Sequence, residues 1–375
     1  MSPSDKQRDI TFRYEEIKEI LAKVKAGDSC SVVGIGAVGK SNLLRHLLRP
    51  ETQKHHLGDL ANELKLVLVD PNNMLDSLPL LTGQQALSPW AGYEIMTHRL
   101  YKAFYPFTGF NDEDKKAFQY AYDQLHNGRN PLIPHIGLRY LEAILEILLG
   151  QPAAGGLRRR IAFVFDEFEG TLTQLPVKFF QALRGIRDDY KYNLTYITFT
   201  RRPIPQLIAE LGFDHLAFEP FVELFTGNTL YLGPYSDADA KAMLDRLSER
   251  KGVTYPPSFR NFLLRVSGNH AGLLRASFDL AGQIAFGTPE SEALHFLANS
   301  QPIQMECQTI WDSLSKDEQI ALKDLIRQPV TNDRNRVVIA LLQDKHLLTS
   351  EGNNPQIVPI LFREYVRQQS RLPQE

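Results

Sequence analysis

Ser31-Val32-Val33-Gly34-Ile35-Gly36-Ala37-Val38-Gly39-Lys40-Ser41 reads as an apolar run followed by G-x-x-x-x-G-K-S. The flanks match the motif. Asp28 to Val33 is short, β-branched and apolar, which predicts a buried strand, and Asn42 to Arg49, closed by Pro50, predicts a helix. Strand, glycine loop and helix is the order a phosphate-binding loop needs. Glycines at 34, 36 and 39 let the backbone curl, so that N–H groups from Gly34 through Ala37, Val38 and Gly39 to Asn42 face phosphate oxygens at a helix N-terminus. Lys40 is expected on the β- and γ-phosphates and the Ser41 hydroxyl on Mg²⁺.

The second half of such a site is Ile161-Ala-Phe-Val-Phe-Asp166-Glu167. An unbroken apolar run suits a strand buried on both faces of a parallel sheet. Asp166 at its end is expected to hold Mg²⁺ through water, and Glu167 to act as general base on the attacking water. Asn193 to Thr200 predicts a further strand ending in Thr200-Arg201-Arg202, where Thr200 and Arg201 are candidates to sense the γ-phosphate. Arg187, Arg201 and Arg202 are candidates for the arginine that stabilises the transition state.

The 375 residues suffice for two or three domains. A net charge of −2, with 43% hydrophobic and 23% charged residues, gives no global drive towards nucleic acid or an anionic membrane. Cys30 and Cys307 make neither a disulfide framework nor a zinc site. The polar N-terminus has no signal peptide, and no apolar run reaches a membrane span, so a soluble cytoplasmic protein is expected.

Around the core motifs, residues 1–10 read as a tail and 11–26 as a helix with Tyr14, Ile17, Ile20, Leu21 and Val24 on one stripe. Phe12, Arg13 and Tyr14 are base-contact candidates whose competing reading is plain packing. Leu64 to Asp70 is a second strand, and residues 88–150 read as a helical insertion. Leu211 to Glu223 reads as irregular, and Asn228 to Pro234 as a short fifth strand. Ser236 and Asp239 form a shortened capping box that opens a helical lid. His270 and Arg275 in that lid are placed to touch phosphate. Residues 287–305 read as a linker, Ser315 and Glu318 as a capping box, and 306–369 as helix-helix-helix-hairpin, a winged helix. The domain boundaries expected are 11–232 for the nucleotide core, 233–290 for the lid and 306–369 for the winged helix. The third helix, Arg334 to Lys345, is mostly apolar with basic groups at its ends. A DNA-reading helix carries several exposed polar or basic side chains, so a packing or partner surface is expected in preference.

The fold class expected is α/β, a P-loop NTPase parallel sheet with a helical insertion, an α-helical lid and a C-terminal winged helix. With the phosphate loop, Asp166-Glu167, the strand ending Thr200-Arg201-Arg202 and the Gly268-Asn-His-Ala-Gly272 turn placed, residues 11–368 resemble a STAND-class ATPase of the AAA+ group, close to the archaeal-ATPase and origin-recognition-like branch. Ala271 stands where that family's turn usually has Pro. The resemblance implies ATP and ADP as ligands, with Mg²⁺, and an ATP-dependent switch that regulates a partner protein in signalling or defence. Slow hydrolysis resets the switch, and self-assembly can follow the nucleotide. The absence of an N-K-x-D motif agrees with adenine over guanine. The alternative is a DNA-associated AAA+ ATPase, a loader or transposition regulator, with Arg158 to Arg160 and Arg334/Arg336 on phosphate. A third reading is a nucleotide-binding scaffold that does not hydrolyse, against which Glu167 argues.

Overall fold

Short runs rich in Val, Ile, Leu and Phe become the strands. The computed structural model describes residues 8–73, 89–126, 133–150, 159–285, 287–327, 336–349 and 355–371. Helix α1 (Tyr14–Ala26) buries Ile17, Ile20, Leu21 and Val24, and strand β1 (Cys30–Val33) is buried at every residue. The glycine loop then leads into α2 (Lys40–Leu47). Helix α2 ends before Pro50, as expected, and Pro50 then opens a further helix, α3 (Pro50–Leu57), where a missing N–H costs nothing. Next come β2 (Leu64–Val69), α4 (Trp90–Phe104), α5 (Asp112–His126), α6 (Ile133–Gly150) and β3 (Arg160–Phe165). They are followed by α7 (Phe168–Gln174), α8 (Val177–Asp189), β4 (Leu194–Thr200), α9 (Ile204–Glu210), α10 (His215–Val222) and β5 (Thr229–Tyr231). The rest is helical: α11 (Asp237–Lys251), α12 (Pro257–Ser267), α13 (Ala271–Leu280), α14 (Glu290–Asn299), α15 (Gln301–Asp312), α16 (Lys316–Arg327), α17 (Arg336–Asp344) and α18 (Ile360–Arg371). No helix among the described residues is long and apolar enough to cross a membrane.

These elements form two compact units. The first comprises Ile17–Val32 and Leu47–Leu230. Its sheet runs β2-β3-β4-β1-β5. Strands β2 and β3 pair in parallel, Val69 opposite Phe165, and β3 and β4 likewise, Phe165 opposite Thr198. Parallel pairing sends the carboxyl ends of β2, β3 and β4 to one edge, so Asp70, Asp166 and Thr200 leave the sheet side by side. Rings of Phe163, Phe165, Phe168, Phe179, Phe180, Tyr196 and Phe221 fill the core behind that edge. Helices α4, α5 and α6 pack on one another, and α4 also packs on β2. The stretch expected to be irregular, 211–223, holds α10, capped by the Asp214 carboxylate on the Leu216 N–H (3.0 Å) despite Pro220 inside it.

The second unit comprises Met1–Glu16, Val33–His46 and Tyr231–Glu375. It contains the glycine loop, tied to the segment after β5 by Leu232 N–H donating to Val33 O at 2.7 Å. The linker expected over 287–305 is instead helical, with Pro289 at the cap of α14 and Pro302 in the first turn of α15. Both prolines act as helix starters. The second capping box forms in full. Glu318 N–H donates to Ser315 Oγ (3.2 Å), and Ser315 N–H to Glu318 Oε2 (2.7 Å). The other Glu318 oxygen pairs with Lys345, both side chains being buried. Past α17, Leu348 and Ile357 form an antiparallel bridge. Residues expected in the tip of that hairpin, 350–354, and Arg334 lie outside the described residues.

Candidate nucleotide-binding site

Ala37 (φ 55) and Gly39 (φ 103) take left-handed conformations and curl the loop between β1 and α2. The φ of Gly39 favours glycine, and a Cβ there would also press on the Tyr235 hydroxyl at 3.0 Å. The Lys40 ammonium folds back over the loop, donating to Ile35 O (3.1 Å) and to Gly34 O.

The N-terminal segment braces this loop. Arg13 is buried, with φ 53. Its guanidinium donates to Val38 O (3.1 Å), Gly233 O (2.9 Å) and Pro234 O (2.9 Å), pairs with Glu16, and lies 4.6 Å from the Tyr235 ring centroid. Phe12 sets its edge against His46 and Tyr235, each at 5.4 Å. Phe12 and Arg13 are thus packed into the unit, the plainer of their two readings. Asn42 donates to the Tyr235 hydroxyl (2.9 Å) and accepts from Arg8 (2.7 Å), so residue 8 is docked and not tail. The Asp239 carboxylate does not close a capping box. It accepts from the Ser236 hydroxyl (3.0 Å) and from Arg13 N–H (3.2 Å), tying the cap to the bracing segment.

The lid closes on the other side of the loop. Gly272 N–H donates to Ala37 O (3.0 Å), and His270 Nε2 donates to Gly36 O (3.1 Å). A carbonyl only accepts, which assigns the proton to Nε2. Burial drives the His270 imidazole down to about 3, so it is neutral. The phosphate contact expected of His270 is replaced by a bond that holds the loop. Arg275, one turn beyond Gly272, is exposed. A cavity of about 40 Å³ lies between Ile35 and Val38 of the loop, His270, and Lys345, His346 and Pro359 of the C-terminal part.

In the other unit, Glu167 N–H donates to Asp166 Oδ1 at 3.0 Å. Glu167 is exposed, with φ 41 and ψ 51, and its Oε2 accepts from Asn72 Nδ2 at 3.3 Å. Sequence reasoning missed Asn72 as a site residue. Its signal, a polar cluster Asp70-Pro-Asn-Asn73 closing a buried strand, becomes a signal only once β2 is known to lie beside β3. Thr200 at the end of β4 is buried, and its hydroxyl has no hydrogen-bond partner among the described residues. Arg201 is exposed, and its backbone N–H donates to the Glu169 carboxylate. The other two arginine candidates are engaged: Arg187 donates to Gly27 O (2.8 Å) and Arg202 pairs with Glu210.

Among the described residues, no group of three or more His, Cys, Asp or Glu side chains is arranged to hold a metal ion. Mg²⁺ takes one or two protein oxygens and completes its shell with phosphate and water. Ser41 and Asp166 are oxygen donors of that kind.

No protein-family model matches the chain, and no curated protein matches it. Among solved structures, it is similar to a Walker-type ATPase of Pyrococcus abyssi, at 16% identity over 98% of this chain and 99% of that one, with a TM-score of 0.53. Looser matches include Cdc6p from Pyrobaculum aerophilum (10% identity, 99% of this chain and 98% of that one, TM-score 0.42). The RuvB Holliday junction branch migration motor of Thermotoga maritima is another (12% identity, 99% of each chain, TM-score 0.40). The Pyrococcus likeness shows the fold, which is the P-loop NTPase α/β fold.

Proposed function

We propose that the protein is an AAA+ ATPase of STAND type, an ATP-driven switch that regulates a partner protein in signalling or defence. The observations that carry the reading are, in one unit, the curled loop with Lys40 folded over it and, in the other, an acidic pair whose Glu167 accepts from Asn72. In this reading Lys40 and the backbone from Gly34 to Asn42 bind the phosphates, and Arg275 reaches them from the lid. Bound Mg²⁺ would neutralise phosphate charge, with Ser41 and Asp166 as its protein oxygens. Glu167 takes a proton from the attacking water. Thr200 and Arg201 orient the terminal phosphate. The domains proposed are a core over 11–232, a lid over 233–290 and a winged helix over 306–369.

A DNA-associated ATPase is the second reading. Its support is Arg336, exposed at the start of α17. Against it, Arg159 is buried with its guanidinium 3.9 Å from the Phe110 ring centroid, and Arg160 donates to Lys25 O at 2.8 Å. Arg158 and Arg334 lie outside the described residues. Val337, 81% exposed on α17, suits a protein partner better than a phosphate backbone.

Two measurements test the proposal. Lys40→Ala is expected to abolish nucleotide binding, and Glu167→Gln to keep binding while losing hydrolysis. Wild-type turnover by Glu167→Gln overturns the base assignment. The solution mass with ADP and with a non-hydrolysable ATP analogue, each with and without duplex DNA, separates the readings. Growth with the analogue alone supports the switch, and salt-sensitive growth only with DNA supports the second reading.

A further inference from the structure

Helix α15 is seated on the glycine loop at Gly36 and on the start of α13 at Gly272. A Cβ on Gly36 would come 2.2 Å from Thr309 O. A Cβ on Gly272 would come 2.2 Å from a Glu306 carboxylate oxygen and 2.8 Å from the Ala37 Cβ. Glu306 and Thr309 are three residues apart and share one face of the helix. With Gly272 N–H bonded to Ala37 O, these contacts fix the Glu306 carboxylate beside the Gly36–Ala37 half of the loop. Glu306 is half-buried, and burial pushes its carboxyl above the usual range while Arg275 pulls the other way.

The same half of the loop carries the Lys40 ammonium, over Ile35 O and Gly34 O. Lys40 is the group that meets the β- and γ-phosphates, so the terminal phosphate of a triphosphate belongs at this half, away from the N-terminus of α2. A diphosphate stops short of it, and a triphosphate brings one further negative charge towards the Glu306 carboxylate.

We propose that Glu306 is a specificity-determining residue of the nucleotide site: while α15 is seated on the loop, its carboxylate disfavours the terminal phosphate of a nucleoside triphosphate and biases the site towards the diphosphate. The inference rests on the reading of the loop as a nucleotide site and adds to it a source of discrimination. One unit charge at roughly 8 Å in an effective dielectric of about 20 corresponds to about thirtyfold in affinity, and salt reduces it, so a bias of about three- to tenfold is expected.

The test is the pair of equilibrium affinities for ADP and a non-hydrolysable ATP analogue, with Mg²⁺, on the full chain. Wild type is compared with Glu306→Gln, Glu306→Lys and Lys40→Ala. Glu306→Gln is isosteric and is expected to raise the affinity for the analogue relative to ADP about three- to tenfold, and Glu306→Lys to move the ratio further the same way. A packing role would shift both nucleotides together, so an unchanged ratio in both variants overturns the proposal while leaving the nucleotide site intact. If wild type binds neither nucleotide, the reading of the loop fails and the proposal with it.

Discussion

Glu167 holds a left-handed backbone conformation, φ 41 and ψ 51, that a non-glycine residue adopts at a cost. The bond from Asn72 gives that conformation a use, because it aims the carboxylate from outside its own strand. Asn72→Ala is expected to lower kcat for ATP hydrolysis on the order of tenfold with KM little changed, since it frees the base without touching the phosphates. Steady-state kinetics checks this, and an equal rise in KM would assign Asn72 to binding. His270 makes a second residue-scale prediction. Its imidazole titrates at its ordinary value near 6.5 when unfolded and near 3 when buried, so the folded state binds fewer protons between those values. Its contribution is therefore complete above pH 6.5 and is lost as the pH falls towards 3, at up to about 1.4 kcal/mol per pH unit. His270→Gln keeps a donor for Gly36 O and carries no titrating proton. Its melting temperature should fall less steeply than that of wild type between pH 6.5 and 4.5, and parallel curves would remove His270 as the cause.

At the scale of elements, the seat of α15 on the loop is the least tolerant contact. Gly36→Ala places a methyl on a backbone carbonyl, Thr309 O, which no rotamer change relieves. The substitution should cost on the order of 1–3 kcal/mol and raise amide hydrogen exchange across residues 301–312. In Gly34→Ala the nearest atoms are side-chain atoms of Val38, Lys40 and Leu232 at 3.0–3.2 Å, and exchange in α15 should stay near that of wild type. Elements with strong local signals were legible in the sequence. Strand β3 announced itself by an unbroken apolar run, α5 by its spacing and the start of α16 by its capping box. Helices α3 and α14 and the first part of α15, residues 301–305, were hidden behind Pro50, Pro289 and Pro302, because a proline in a first turn and a proline that ends a helix look alike in one dimension. The site was legible where one contiguous motif carries it, as from Gly34 to Ser41. It was illegible where it depends on pairs distant in sequence, as with Asn72 and Glu167, His270 and Gly36, or Arg13 and Val38. The partners of Arg187 and Arg202, Gly27 O and Glu210, were likewise not legible in the sequence.

At the scale of the whole molecule, the two units are unequal in how the chain supplies them. One closes with Leu230, whereas the unit holding the glycine loop draws on Met1–Glu16, Val33–His46 and everything from Tyr231 onward. That interleaving imposes a timetable on the ribosome. Residues 231–375 take on the order of ten seconds to synthesise at about 5–20 residues per second, and throughout that interval the loop has emerged without Gly272, His270 or Thr309 to hold it. The loop is therefore expected to settle only after the residues that hold it have been made, and a product truncated at Leu230 should carry the loop without Gly272, His270 and Thr309 against it.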